Sequence, residues 1–173
     1  MKKETLKSIK ERRSIKAYLP EQIKEEELDL ILEAGTYAAN GRSLQSAKMV
    51  VVQDKETRDL LSRLNAQVMG TDKDPFYGAP TVVVVFADSN CHTYVEDGSL
   101  VMGNLMLGAY AVGVGSCWIH RARQVFQLPE GKELMKKWGL DESYVGVGNC
   151  ILGYTKGDIP QAKPRKIDYI LKV

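Results

Sequence analysis

Three polar clusters are the places where this chain can do chemistry. The first is Arg12-Arg13-Ser14-Ile15-Lys16. Guanidinium forks and a hydroxyl suit a phosphate and a polyol chain, and a lysine two residues on can reach an anionic ring edge. The second is Asn40-Gly41-Arg42-Ser43-Leu44-Gln45, a loop of amide and hydroxyl groups just ahead of an apolar run. The third is Lys163-Pro164-Arg165-Lys166. Taken singly, each has a plainer reading: a solvated helix end, a turn closed by side-chain-to-backbone bonds, and a solvated basic tail. Gly-x-Ser-x-Gly, a Walker loop and His-Glu-x-x-His do not occur. Three cysteines (Cys91, Cys117, Cys150) without a Cys-x-x-Cys, and two separated histidines, fit neither a disulfide framework nor a zinc site. An enzyme with this inventory borrows its chemistry from a cofactor.

These clusters must be positioned by regular elements, which the apolar pattern outlines. Leu6 and Ile9 predict a short helix ending near Arg12-Arg13, and Pro20 breaks the chain. Leu28, Ile31, Leu32 and Gly35 predict an amphipathic helix over 24–39. Met49–Gln53 reads as a buried strand, and Asp54 caps a helix carrying Leu60, Leu61, Leu64 and Val68. Thr81–Ala87 is a strand apolar on both faces. Gly115–Ile119 and Tyr144–Tyr154 are further strands, and Pro129–Trp138 is a helix stopped by Gly139. Gly70-Thr71-Asp72-Lys73-Asp74-Pro75 has the composition of a mobile loop, and a substrate lid would fall within Leu64–Gly78.

The 22 residues from Gly98 to Ile119 carry no charge, long enough to cross a bilayer. Their five glycines, with Ser99, Asn104 and Ser116, instead predict a helix buried on nearly every side, at the centre of a domain or of a dimer. Gly113-Val114-Gly115 lacks the third glycine of a dinucleotide fingerprint and reads as a turn. Non-alternating strands separated by helices mean a sheet covered on both faces, in an α/β or α+β fold. The apolar residues of the tail Thr155–Val173 invite packing on a partner subunit.

The chain has 173 residues, 24 Lys+Arg against 22 Asp+Glu, and a formal net charge of +2. That balance predicts one domain over residues 1–173 and no general pull toward nucleic acid or membrane. The charged start Met1-Lys2-Lys3-Glu4 offers no signal peptide, so a reducing cytoplasm is expected.

The order of the clusters is more specific than any one of them. Arg12-Arg13-Ser14, a polar loop before the first strand, Ala79-Pro80 opening the second, Gly115-Ser116-Cys117-Trp118-Ile119, and Gly-Tyr followed by Lys163-Pro164-Arg165 resemble the FMN-dependent nitroreductase family. The resemblance runs from about residue 8 to 167. It implies an α+β sandwich with a central mixed sheet flanked by helices, working as an intertwined homodimer with FMN in each interface pocket. By the family's pattern Arg12, Arg13 and Ser14 bind the phosphate and ribityl end together with Lys163 and Arg165. Lys16 and Asn65 sit at the pyrimidine edge, where a cation stabilises the negative charge of reduction. Trp118, Ile119, His120 and Arg121 pass the flavin's N5, and Asn40, Ser43 and Gln45 reach it from the other subunit.

The chain departs from that pattern in two places. Ala39-Asn40 and Ser46-Ala47 stand where relatives carry Pro-Ser and Pro-Trp, and His120-Arg121 stands where Gly or Glu-Gly is common. A cation beside the reacting centre favours anionic substrates; a solvent-facing rim is the plainer alternative. The implied activity is two-electron, ping-pong reduction of nitroaromatics, quinones or similar small acceptors, with NADH or NADPH as donor. The flavin N5 carries the chemistry and no protein residue is catalytic. A flavin-binding carrier or regulator without turnover is the alternative raised by the altered loop. An enzyme of the same fold acting on flavin or on a halogenated substrate is a third reading. Cys117 is expected to be a buried, inert thiol.

Overall fold

The computed structural model describes residues 4–173. The Met1-Lys2-Lys3 lead-in lies outside them. Four strands form one sheet in the order β1-β2-β4-β3: β1 (Ala47–Val52), β2 (Thr81–Asp88), β3 (Gly115–Ile119) and β4 (Tyr144–Gly153). All three neighbouring pairs are antiparallel, with Val50 opposite Val84, Val83 opposite Cys150 and Cys117 opposite Ile151. Among the described residues, parallel pairing is confined to the Ser14–Ser116 bridge, where the Ile15 N–H donates to the Ser116 carbonyl at 3.0 Å.

The unbroken apolar run of β2 follows from its central place. With a two-residue period, Val82, Val84 and Phe86 enter one core, and Val83, Val85 and Ala87 enter the other. The first core is closed by Leu61 and Leu64 of α3 (Lys55–Met69), Val125 of α5 (Ala122–Val125) and Leu134 of α6 (Pro129–Lys137). The second is closed by Ile31 of α2 (Glu25–Thr36) and by Val101, Met102 and Leu105 of α4 (Tyr94–Ala111). The remaining helix, α1 (Glu4–Glu11), has no buried residue.

Local signals act where they were expected. Asp54 accepts from the Thr57 N–H at 2.8 Å and starts α3. Gly139, with φ 70°, follows α6. Gly113, with φ 81°, turns the chain from α4 into β3.

Three elements differ from the sequence reading, the first of them α5, which it left unread. β1 is an edge strand: of its six residues only Val52 is buried, because it pairs with β2 alone. The helix within the uncharged stretch begins earlier, at Tyr94, and ends at Ala111. Its inner face is tight, since a Cβ on Gly108 would come within 2.9 Å of the Ala34 methyl. On its outer side Leu100 remains 48% exposed, and Gly103, Met106, Leu107 and Tyr110 are only half-buried. The tail from Lys156 to Val173 is exposed throughout, including Ile167, Tyr169, Ile170 and Leu171. No helix of the described residues is long and apolar enough to cross a membrane.

Candidate functional site

The segment after α1 lies along the edge of β3, and this places the first polar cluster. Ser14 bridges Ser116, and Leu19 donates to the Tyr154 carbonyl at 2.9 Å. Arg12 and Arg13 are half-buried beside a small cleft of about 110 Å³ that also meets Tyr110, Ser116 and Thr155. Arg13 donates through Nη1 to the carbonyls of Lys10 and Arg12, both at 2.7 Å, while its buried Nε has no partner. Arg12 lies 4.0 Å from the Met106 sulfur. None of Arg12, Arg13 and Lys16 forms an ion pair with a carboxylate among the described residues.

The far side is built by α3 and the end of β3. Asn65 is fully buried and donates through Nδ2 to the His120 carbonyl at 3.1 Å; its Oδ1 has no partner. A buried amide oxygen without a donor costs about 1–3 kcal/mol, so it marks a place for a donor from outside the chain. His120 and Arg121 are exposed, and Arg121 has φ 83°, a left-handed conformation unfavourable for a side-chain-bearing residue. Ile119 is buried. Trp118 packs over Gly148, where a Cβ would come within 2.3 Å of the indole nitrogen, and that buried N–H has no partner.

Cys117 lies between these walls. Burial pushes its thiol up, and the nearby Ser14, Lys16 and Arg12 only partly offset this, so it stays protonated near neutrality. Cys150, wholly buried, is pushed up to about 12. Neither has the low-pKa, accessible character of a redox thiol.

The second cluster stands apart within this chain. Asn40, Ser43 and Gln45 belong to a loop around a short 3-10 turn, Gly41–Ser43, in which Arg42, Ser43 and Gln45 all have positive φ. Asn40 Oδ1 accepts from the Gln45 N–H at 2.9 Å. Asp97 of α4 accepts from the Gly41 N–H at 2.9 Å and the Ser46 hydroxyl at 2.6 Å. The loop borders its own cleft of about 140 Å³, with Ala38, Met49 and Val101. Lys163 and Arg165 lie in the exposed tail, where the Arg165 guanidinium donates to the Lys163 carbonyl. The structure therefore brings Arg12, Arg13, Ser14, Lys16, Asn65 and Trp118–Arg121 into one region and leaves the loop and tail outside it.

The model of the family described as "Nitroreductase family" matches residues 9–72 and 67–154. This chain belongs to the nitroreductase family. It is 30% identical over 160 residues to an Archaeoglobus fulgidus protein named as a candidate NADH dehydrogenase/NAD(P)H nitroreductase, covering 90% of this chain and 87% of that one. It superposes on a Bacteroides fragilis nitroreductase with bound FMN at TM-score 0.90, with 28% identity and 98% of both chains covered. A Desulfitobacterium hafniense nitroreductase with bound FMN superposes at TM-score 0.88, with 26% identity over the full length of both.

In this nitroreductase-family chain, two carboxylates with structural roles escaped the sequence reading. Asp97 reads as the last charge before an apolar helix, and Asp74 reads as part of a polar loop. Nothing local announces that Asp97 holds the second cluster or that Asp74 holds the 70–78 loop. The segment with the composition of a mobile loop is anchored at its far end by Asp74. Asp74 accepts from Arg58 at 2.8 Å, from the Phe76 N–H at 2.8 Å, from the Gly78 N–H at 2.7 Å and from the Ser62 hydroxyl. Phe76 is fully buried, so any lid motion would have to break this set and expose a phenyl ring.

Proposed function

We propose that this chain, as one domain over residues 1–173, is an FMN-dependent oxidoreductase of the cytoplasm. It uses NADH or NADPH to reduce nitroaromatics, quinones or similar small acceptors by two-electron ping-pong transfer. The observation that carries this reading is the gathering, at one edge of the sheet, of three cations lacking carboxylate partners and a buried amide with a free acceptor oxygen. These residues fit FMN. The guanidinium groups of Arg12 and Arg13 and the Ser14 hydroxyl suit its phosphate and ribityl chain. Asn65 Oδ1 suits a ring N–H, and Lys16 suits the ring edge that gains negative charge. When bound, FMN supplies the two-electron redox chemistry.

The chain's own residues bind and orient. Asn65 fixes the backbone after β3 through the His120 carbonyl, so one side chain couples the cofactor wall to the segment beside it. His120 and Arg121 border the open side, where acceptor and donor would enter in turn. No general acid, general base or thiolate is required, in keeping with the raised Cys117 thiol.

We further read the working unit as a homodimer. What supports this is exposed surface for a second copy to cover: the half-exposed outer side of α4, the loop carrying Asn40, Ser43 and Gln45, and the uncovered apolar tail. In that dimer the loop carrying Asn40, Ser43 and Gln45 would reach the partner's cofactor, while Lys163 and Arg165 would join Arg12, Arg13 and Ser14 at the phosphate.

The test is an absorption spectrum of freshly purified protein, repeated without oxygen after NADH or NADPH is added. Oxidised-flavin bands that bleach, and return on adding a nitroaromatic or a quinone, are expected. Bands that persist with both nucleotides would favour a carrier, and protein that takes up no FMN would overturn the assignment.

A further inference from the structure

Tyr77 is an exposed aromatic side chain that the flavin reading leaves unused. It has φ 52° and is 39% exposed, between the fully buried Phe76 and Gly78 at φ 75°. A left-handed conformation is unfavourable for a residue with a Cβ, so the surroundings must impose it. Asp74 does so. Its carboxylate takes the N–H of Phe76 and the N–H of Gly78, one on each side of Tyr77. It is itself held by Arg58, whose Nε also donates to the Ala79 carbonyl at 3.0 Å. Both ends of the Tyr77 turn are thus fixed to α3 through Arg58 and Ser62, and the residue stays 39% exposed.

Lys16 meets that ring. Its Nζ lies 5.6 Å from the ring centroid, within reach of a cation–π attraction, and no carboxylate pairs with it. The helix that fixes Tyr77 also carries Asn65. Arg58, Ser62 and Asn65 are spaced four and three residues apart on one buried polar face of α3. One helix face therefore sets the ring that Lys16 touches and the backbone of His120.

We propose that Tyr77 is a positioning residue that holds the Lys16 ammonium in place over the candidate cofactor site. This rests on the FMN reading above. A lysine side chain is long and freely rotating, and its charge in water is spread over many rotamers. A ring fixed by the Asp74 clasp narrows that distribution. A localised cation favours added negative charge on a neighbouring ring system more than a mobile one does. Tyr77 thereby raises the preference of the site for reduced over oxidised FMN without touching the electron donor or acceptor.

The experiment has two readouts on the FMN-loaded and FMN-free protein. The first is the ratio of affinities for reduced and oxidised FMN, from the midpoint potential of the bound cofactor. Lys16→Met should lower that ratio roughly tenfold. Tyr77→Leu should lower it about two- to fivefold, Tyr77→Phe should leave it unchanged, and Lys16→Met/Tyr77→Leu should match Lys16→Met alone. The second is NMR of the Lys16 ε-methylene in FMN-free protein. Its upfield ring-current shift should survive Tyr77→Phe and vanish in Tyr77→Leu. A wild-type ratio in Tyr77→Leu, or a further drop on top of Lys16→Met, overturns the proposal. A wild-type ratio in Lys16→Met overturns the placing of Lys16 beside the cofactor. Absence of the ring-current shift overturns the contact itself, whatever the flavin does.

Discussion

Two loops of this molecule solve the same problem with different chemistry. The 40–46 loop and the 70–78 loop each hold non-glycine residues at positive φ, and each hangs from one aspartate. Asp97, in the first, is 2% exposed and takes neutral donors: the Ser46 and Thr93 hydroxyls and the Gly41 N–H. Asp74, in the second, also takes two N–H groups and a hydroxyl, but it is paired with Arg58 as well. Burial would push both carboxyls up, and in both the hydrogen bonds win, holding them below the usual carboxylate range. The difference is that Asp74 neutralises a cation whose side chain is only 11% exposed, so its charge is needed. Asp97 has no cation among these partners, and its charge is held by neutral donors alone.

Replacing each aspartate by its neutral isostere is the sharpest way to break that comparison. Asp74→Asn should cost about 2 kcal/mol in urea denaturation, because Arg58 keeps the Ala79 carbonyl but has Asp59, itself shared with Lys55, as its one remaining carboxylate. Asp97→Asn should cost about 1 kcal/mol, since an amide still accepts from Gly41 and the Ser46 hydroxyl can rotate to accept. Equal losses would show that the Arg58 pairing contributes nothing special.

Acid sharpens the same point. The folded values of both carboxyls are lowered, so their contribution is fully present above the unfolded value of about 3.9 and is lost as pH falls through the folded value. The stability gap between wild type and Asp97→Asn should therefore close below about pH 4. A gap that stays constant would mean that the lost stability has nothing to do with ionisation.

The smallest expected effect concerns strain. Arg42→Gly, at φ 54° on an exposed turn, should stabilise by a few tenths of a kcal/mol, as relief of the left-handed backbone slightly exceeds the added freedom of the unfolded chain. Tyr77→Gly relieves the same kind of strain but also removes the ring that meets Lys16. It should therefore leave thermal stability near wild type while abolishing the Lys16 ring-current shift.

Much of the framework was legible because its causes are local. Asp54 caps α3 through a residue three positions on, and Gly139 ends α6 with its own backbone. The run from Thr81 to Ala87 reads as a strand covered on both faces because every residue in it is apolar or β-branched. The edge position of β1 was not legible: Met49–Val52 is as apolar as β2, and only the strand order leaves one of its sides unpaired. For the helix in the Gly98–Ile119 stretch the sequence left two readings open, the centre of a domain or of a dimer, for a related reason. Its composition says that it is apolar all round, and the composition cannot say which neighbour, or which copy, covers each side.

The sequence by itself determined α1, α2, α3 and α6, the strands, the apolar run of β2 that serves two cores and the cation-rich first cluster, since each depends on neighbours within a turn or a pleat. The tertiary structure alone decided which polar groups meet. Asn65 reaches the carbonyl of His120, Ser46 reaches Asp97, and Tyr77 comes under Lys16 across separations that only the order β1-β2-β4-β3 and the packing of α3 and α4 on it bring to contact distance. A hydrogen bond acts over about 3 Å, so a site built from such bonds exists only once the sheet has placed its parts.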